Sequence, residues 1–145
     1  MNEKKDIVLV EDNPSDAEFT IRALRNSNII DGLIHLEDGE EALEYIFAIG
    51  KYAERNIEDL PKMILLDLKM PKVNGLEVLK KIKSDKRTKI IPVVLLTSSK
   101  EESDILDAYK YGVNSYIVKP VDFEDFAKVV AHAGLYWLLV NQPHK

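Results

Sequence analysis

Ile7-Val8-Leu9-Val10 is an apolar run that ends at Glu11-Asp12, and this pattern, repeated along the chain, decides the fold. The run is continuous and lacks the alternation of a half-buried strand. Strands buried on both faces have this character, as in parallel sheets covered by helices. A weaker run at residues 33–36 predicts an edge strand. The other strong runs lie at residues 63–66, 93–96 and 116–118.

Helical patterns separate these runs. Asn13-Pro14 predicts a helix start, with Asn as the N-cap and Pro at the first helical position. Residues 51–61 form the longest irregular stretch, interpreted as a surface extension of the second helix and its loop. The alternation of strands and helices predicts right-handed βαβ units in a doubly wound α/β fold. The later helices are predicted to begin at Asp38-Gly39, Asn74-Gly75, residue 101 and Asp122, with Gly112 ending the fourth.

The composition limits the class of protein. A chain of 145 residues suggests one domain, predicted to span residues 1–145 with no output domain. The formal net charge of −5 argues against nucleic-acid binding, which needs a basic face. The sequence contains no cysteine, which excludes disulfides and thiolate metal sites. No apolar stretch is long enough for a signal peptide or a membrane span, so the cytoplasm is the expected location.

Polar residues follow the predicted strands where ligands bind in a doubly wound sheet, outside the carboxyl ends. Glu11-Asp12 follows the first strand, Asp67 the third, Thr97 the fourth and Lys119 the fifth. Carboxylates packed together repel one another, so either a pKa rises or a cation binds. Oxygen ligands select hard cations, and Mg²⁺ is commonly held by one or two carboxylates. The pattern therefore predicts a Mg²⁺ site at this edge.

Asp67 could act there as a nucleophile. A carboxylate that attacks a phosphoryl group gives an acyl phosphate, and a metal ion neutralises the charge of that group. Lys119 supplies a mobile positive charge for the phosphoryl oxygens, and the Thr97 hydroxyl can donate one further hydrogen bond. Each residue alone says little about function, because acidic residues and helix caps are common just after strands. Their combination at one edge of the sheet favours phosphoryl chemistry.

Three other functions fit these residues less well. A phosphatase of the haloacid dehalogenase type needs a second acid two residues after the nucleophile, where this chain has Lys69. In a flavodoxin-like electron carrier, Glu11-Asp12 would repel the FMN phosphate. A scaffold that is not phosphorylated is disfavoured, because every acceptor-site position is present.

The sequence resembles the receiver domain of bacterial two-component response regulators, over nearly the whole chain and in the order of that family. The resemblance implies a flavodoxin-like (βα)5 fold with a five-stranded parallel sheet of order 2-1-3-4-5, an order known for this fold. The matching residues are Glu11-Asp12, Asp67 in LLDLKMP, Met70-Pro71 with Gly75, Thr97 in VVLLTSS, and Lys119-Pro120 in YIVKP.

The resemblance also implies roles at the metal site. Asp67 would be the phosphoacceptor, and a phosphohistidine on a sensor histidine kinase would be the donor. The cofactor would be Mg²⁺, held by Asp67, by Asp12 directly and by Glu11 through water. The backbone carbonyl of Lys69 would complete the metal shell. The Lys119-Pro120 peptide is expected to be cis, although Lys-Pro bonds are usually trans.

The resemblance implies a signalling switch and not an enzyme. The protein would catalyse only its own phosphorylation and dephosphorylation. Thr97 and Tyr116 would form the switch pair, although an aromatic residue in a fifth strand could equally be core. Partner binding would change at the face of the fourth helix, fifth strand and fifth helix. Three stretches are similar to those of single-domain regulators paired with bacterial phytochromes: the long segment 51–61, LLDLKMPKVNGLEVL and GLYWLLV.

The last helix is predicted to run to about residue 140, with more apolar residues than one side can bury. Phe126, Val130, Ala133 and Trp137 follow a spacing of three or four and can share one face. An exposed apolar patch usually marks an interface, so a symmetric homodimer through this helix is predicted. A local fold-back is the alternative. Leu135, Leu138 and Leu139 are spread around that face, and the sheet can cover only one side of the helix; Tyr136 and Trp137 are the expected anchors of the dimer.

Overall fold

Five strands form one parallel sheet in the order β2-β1-β3-β4-β5, as predicted. The structure is a computed structural model that describes residues 7–26, 32–70, 72–98 and 102–133. The strands are β1 (Ile7–Val10), β2 (Leu33–Leu36), β3 (Met63–Asp67), β4 (Val93–Thr97) and β5 (Ser115–Val118). The helices are α1 (Pro14–Asn26), α2 (Gly39–Phe47), α3 (Gly75–Ser84), α4 (Glu102–Lys110) and α5 (Phe123–Ala133), with a 3₁₀ turn at Gly50–Tyr52.

The sheet has an apolar core on each face, which explains why its central strands are apolar throughout. Successive side chains of a strand point to opposite faces. Ile7 and Leu9 therefore pack with α1 and α5, where Phe126 is fully buried. Val8 and Val10 pack on the other face with residues from α2, α3 and α4. This arrangement leaves the carboxyl ends of the strands at one rim.

Side-chain caps begin the helices at that rim. The Asp38 carboxylate accepts a hydrogen bond from the Glu41 N–H at 2.8 Å, and the Asn74 side chain accepts one from the Glu77 N–H at 3.0 Å. Asp122 caps α5 in the same way, through the Asp125 N–H at 2.8 Å. The predicted helix starts are confirmed at these positions. Residues 134–140, which were predicted to continue α5, lie outside the described residues.

The segment after α2 is largely irregular, as predicted, but the second helix does not extend into it. The helix ends at Phe47, and Ala48 follows in a left-handed conformation with a φ of 56°. Arg55 then holds the loop against the helix: its guanidinium stacks 3.9 Å from the Tyr45 ring centroid and donates to the Tyr45 carbonyl. The Tyr52 hydroxyl donates to Glu41 at 2.7 Å. No helix in the described part of the chain is long and apolar enough to cross a membrane.

Candidate functional site

Three carboxylates meet at the rim of the sheet. Glu11 and Asp12 follow β1, Asp67 ends β3, and one oxygen of each lies within 4.8 Å of the others. Glu11 and Asp67 are only 1% and 5% exposed, whereas Asp12 is open to solvent. The site thus has two buried acids behind one accessible acid.

Lys119 completes the cluster from the end of β5. Its Nζ lies 2.8 Å from Glu11 Oε1 and 3.3 Å from Asp67 Oδ1. Glu11, Asp67 and Lys119 lie on the same face of the sheet. Each stands two positions after a strand residue that packs toward α1 and α5, and side chains two positions apart point to the same face. Those strand residues are Leu9, Leu65 and Ile117, respectively. The Lys119 N–H donates to the Thr97 carbonyl at 2.7 Å. The Lys119-Pro120 peptide is cis, as the resemblance implied.

Asp16 also belongs to this cluster, although the sequence analysis did not select it. It lies in the first turn of α1, and its Oδ2 accepts a hydrogen bond from Lys119 Nζ at 3.1 Å. Asp16 stands three residues after the predicted N-cap Asn13, in the first helical turn at the rim. That spacing is the sequence signal that could have placed Asp16 at the rim.

The loop after β3 is held close to Asp67. Gly75 begins α3, and its N–H donates to the Leu68 carbonyl at 2.8 Å. A Cβ at this position would overlap the carbonyl oxygen of Asp67, so only glycine allows the helix to start so near the strand. Lys69, the predicted carbonyl ligand, lies in the bend between them. Pro71 lies outside the described residues.

The two residues predicted to form a switch lie on the other face of the sheet. Thr97 ends β4 and is 2% exposed. In the ladder Tyr116 pairs with Leu95, which points to the same face as Thr97. The Tyr116 ring is half-buried and meets the Tyr109 ring edge-on at 6.2 Å between centroids. Tyr116 also lines an open groove of about 480 Å³ between α4 and α5, together with Asp125 and Lys128.

The residues present fit a hard divalent cation. Glu11 Oε1 is buried, and the Lys119 ammonium at 2.8 Å is its charged partner in the described part of the chain. An anionic oxygen in that position is stabilised by further positive charge. The donor set consists of carboxylate oxygens, which suit Mg²⁺. The cluster of Glu11, Asp12 and Asp67 could therefore bind a metal ion.

The family is settled by a match to the response regulator receiver domain over residues 7–131. The chain belongs to this family. This receiver is 42% identical over 136 residues to the "Probable methanogenesis regulatory protein FilR2" of Methanothrix harundinacea, a match that covers 94% of this chain and 85% of FilR2.

Two solved structures show the same fold. The "Bacteriophytochrome response regulator RtBRR" is 47% identical with a TM-score of 0.85, covering 97% of this chain and 84% of that one. The "Mn(2+)-bound form of response regulator Rcp1" is 35% identical with a TM-score of 0.73, covering 95% of this chain and 96% of that one. The receiver therefore has the flavodoxin-like fold expected from its sequence, and its relatives include response regulators of phytochromes.

The charges in this receiver shift the ionisation of Asp67 and Lys119. Burial raises the pKa of the Asp67 carboxyl from 3.8 to about 7; the Glu11 charge adds to the rise and Lys119 opposes it. Burial alone would lower the pKa of Lys119, but its contacts with Glu11 and Asp67 outweigh burial and raise that pKa. Lys119 therefore stays positively charged at neutral pH, whereas Asp67 without a metal ion holds its proton up to about pH 7.

The raised pKa predicts a pH-dependent stability. Between pH 3.8 and about 7 the folded protein retains a proton on Asp67 that the unfolded chain releases. The contribution of Asp67 to the free energy of unfolding is thus greatest below pH 3.8 and is lost as the pH rises through about 7. Without Mg²⁺, Asp67→Asn should therefore stabilise the protein by up to about 4 kcal/mol at pH 8, and by less at pH 5.

Urea unfolding of both proteins at pH 5 and pH 8, with a chelator present, measures this difference. Comparing the variant with the wild type at each pH cancels the titration of groups that do not interact with Asp67. An equal difference at the two pH values would contradict the assignment of the shift to Asp67.

Proposed function

We propose that this receiver accepts a phosphoryl group on Asp67 from a phosphohistidine of a sensor kinase, with Mg²⁺ as cofactor. The observation that carries the proposal is the position of Asp67, buried at the end of β3 beside Glu11, Asp12 and Lys119. A buried carboxylate in a site for a divalent cation, with an ammonium at 3.3 Å, has the parts that phosphoryl transfer needs.

Each side chain has a defined part in this reaction. A carboxylate oxygen of Asp67 forms a bond to phosphorus as the bond between phosphorus and the donor imidazole breaks, giving an acyl phosphate. Lys119 neutralises the phosphoryl oxygens from the side of β5, and the Thr97 hydroxyl donates to one of them. Asp12, Asp67, Glu11 through water and the Lys69 carbonyl would hold Mg²⁺, which when bound neutralises phosphoryl charge.

A small phosphodonor tests this function without knowledge of the kinase. Incubation with acetyl phosphate and Mg²⁺ should add one phosphoryl group, seen by intact-protein mass spectrometry. The group should survive acid and be removed by hydroxylamine, as an acyl phosphate is. A folded protein that takes up no phosphoryl group would instead support a scaffold that is not phosphorylated.

The proposed phosphodonor is a sensor histidine kinase, and a bacterial phytochrome is the narrower proposal. A groove of about 300 Å³ opens beside Lys119 and is lined by Phe19, Thr20 and Val121. Phe19 is 52% exposed, so the approach to the acceptor includes an apolar surface suited to a protein donor. The narrower proposal rests on relatives described as bacteriophytochrome regulators. Phosphotransfer from a purified phytochrome kinase, compared with an unrelated kinase, distinguishes the two.

Signal output is proposed to follow from a change at the face of α4, β5 and α5. The Thr97 hydroxyl would move toward the phosphoryl group, and the Tyr116 ring would occupy the space it leaves. This is a population shift between two states, whose size depends on the contacts that each state makes with the phosphoryl group. The open groove beside Tyr116 gives the ring room to change its contact with Tyr109.

Thr97→Ala should uncouple this output from phosphorylation. The variant should bind the phosphoryl analogue beryllofluoride but lose the change at Tyr116, because the hydroxyl that senses the group is gone. Fluorotyrosine NMR, with the signal assigned through Tyr116→Phe, measures this change. Thr88→Ala is the matched control: it also removes a buried hydroxyl, one that donates to the Ile82 carbonyl at 2.7 Å, before β4 begins. An identical Tyr116 response in Thr97→Ala and wild type would refute the coupling.

A homodimer through the last helix and a single-domain arrangement over residues 1–145 also remain proposals. The anchors Tyr136 and Trp137 and the patch residues Leu135, Leu138 and Leu139 lie outside the described residues. On α5, Phe126 is fully buried, so its side of the helix packs against the sheet. Sedimentation at several concentrations, with and without beryllofluoride, tests the dimer. A monomer under all conditions would rule it out.

A further inference from the structure

Lys119 is shared among three carboxylates, and one of them is not part of the metal cluster. Its Nζ lies 2.8 Å from Glu11, 3.1 Å from Asp16 and 3.3 Å from Asp67. Glu11 and Asp67 also belong to the group that could hold a metal ion, whereas Asp16 does not. Asp16 therefore contacts the ammonium without a second role in that cluster.

Asp16 is held in this position by the start of α1. Its N–H donates to the Asn13 side chain at 2.9 Å, which places the carboxylate in the first turn of the helix. Negative charge is favoured there by the helix dipole. The Asp16 side chain is 46% exposed, whereas that of Lys119 is only 12% exposed. The carboxylate thus reaches from the surface to a largely buried ammonium.

We propose that Asp16 is a positioning residue that holds the Lys119 ammonium toward α1 and competes with the phosphoryl group for it. This inference rests on the proposed function of Asp67. A phosphoryl group on Asp67 brings new negative charge to Lys119 while Asp16 continues to attract the same ammonium. Asp16 also repels the phosphoryl oxygens directly. Both effects weaken the retention of the phosphoryl group, so Asp16 limits the stability of the activated state.

The test measures the affinity for beryllofluoride at saturating Mg²⁺. Asp16→Asn removes the charge and keeps the shape, and it should bind the analogue about three- to tenfold more tightly than wild type. The range is modest because a half-exposed charge is partly screened by water. If Asp16 affected folding alone, Asp16→Asn would change the melting temperature but not the affinity for beryllofluoride.

Glu18→Gln is the matched control. It removes one negative charge from the same helix, but Glu18 pairs with Arg22 at 2.9 Å on the exposed surface and makes no contact with Lys119 in the described structure. Its affinity for the analogue should equal that of wild type. Unchanged or weaker binding by Asp16→Asn, or equal tightening by Glu18→Gln, would overturn the inference. If wild type itself bound no beryllofluoride, the proposed function would fail first.

Discussion

Asp67→Asn is expected to abolish phosphoryl incorporation from acetyl phosphate while the sheet remains folded. Asparagine has nearly the shape of aspartate, but its amide oxygen is a much weaker nucleophile. Asp67 is 5% exposed at the end of β3, and replacement by a residue of the same size creates no cavity. Intact-protein mass spectrometry should show complete loss of the added group, while circular dichroism stays unchanged.

Asp59→Asn provides the control for this result. It makes the same chemical change at an exposed acid in the loop after α2, away from the rim. This variant should be phosphorylated like the wild type. Equal labelling of Asp67→Asn and wild type would show that another residue accepts the phosphoryl group, and the assignment of Asp67 would then be wrong.

Asp12→Ala is expected to produce the second large effect, a loss of Mg²⁺ affinity of about a hundredfold. Asp12 is the acid of the cluster that is open to solvent, so it is accessible to a hydrated ion. In the proposed Mg²⁺ site its removal would take away a direct ligand of a cation that accepts few protein ligands. Isothermal titration calorimetry measures the affinity directly.

Glu11→Gln should weaken Mg²⁺ binding less than Asp12→Ala does, by about tenfold. The Glu11 carboxylate is already engaged by Lys119 at 2.8 Å, and its expected contact with the ion runs through water. Glu18→Gln, outside the cluster, controls for the loss of net charge. A larger loss in Glu11→Gln than in Asp12→Ala would reverse the proposed roles of the two acids.

The sequence alone was sufficient to predict the order of the elements and the residues at the rim. Continuous apolar runs such as Ile7–Val10 identified buried strands, and caps such as Asp38 and Asn74 marked helix starts. These signals lie within a few residues of one another, and the physical preferences behind them are local. The strand order itself came from the family resemblance, and the sheet confirms it.

Only the tertiary structure determined which side chains meet across long separations. Lys119 and Asp16 are 103 positions apart, yet they form a hydrogen bond because α1 and the end of β5 lie on the same face of the sheet. The end of α2 at Phe47 likewise depends on Ala48 turning left-handed and on Arg55 stacking against Tyr45. Such contacts depend on register and helix placement, which no short stretch of sequence encodes. The residues of the proposed acceptor site could therefore be predicted from the sequence, whereas the contact between Lys119 and Asp16 required the folded structure.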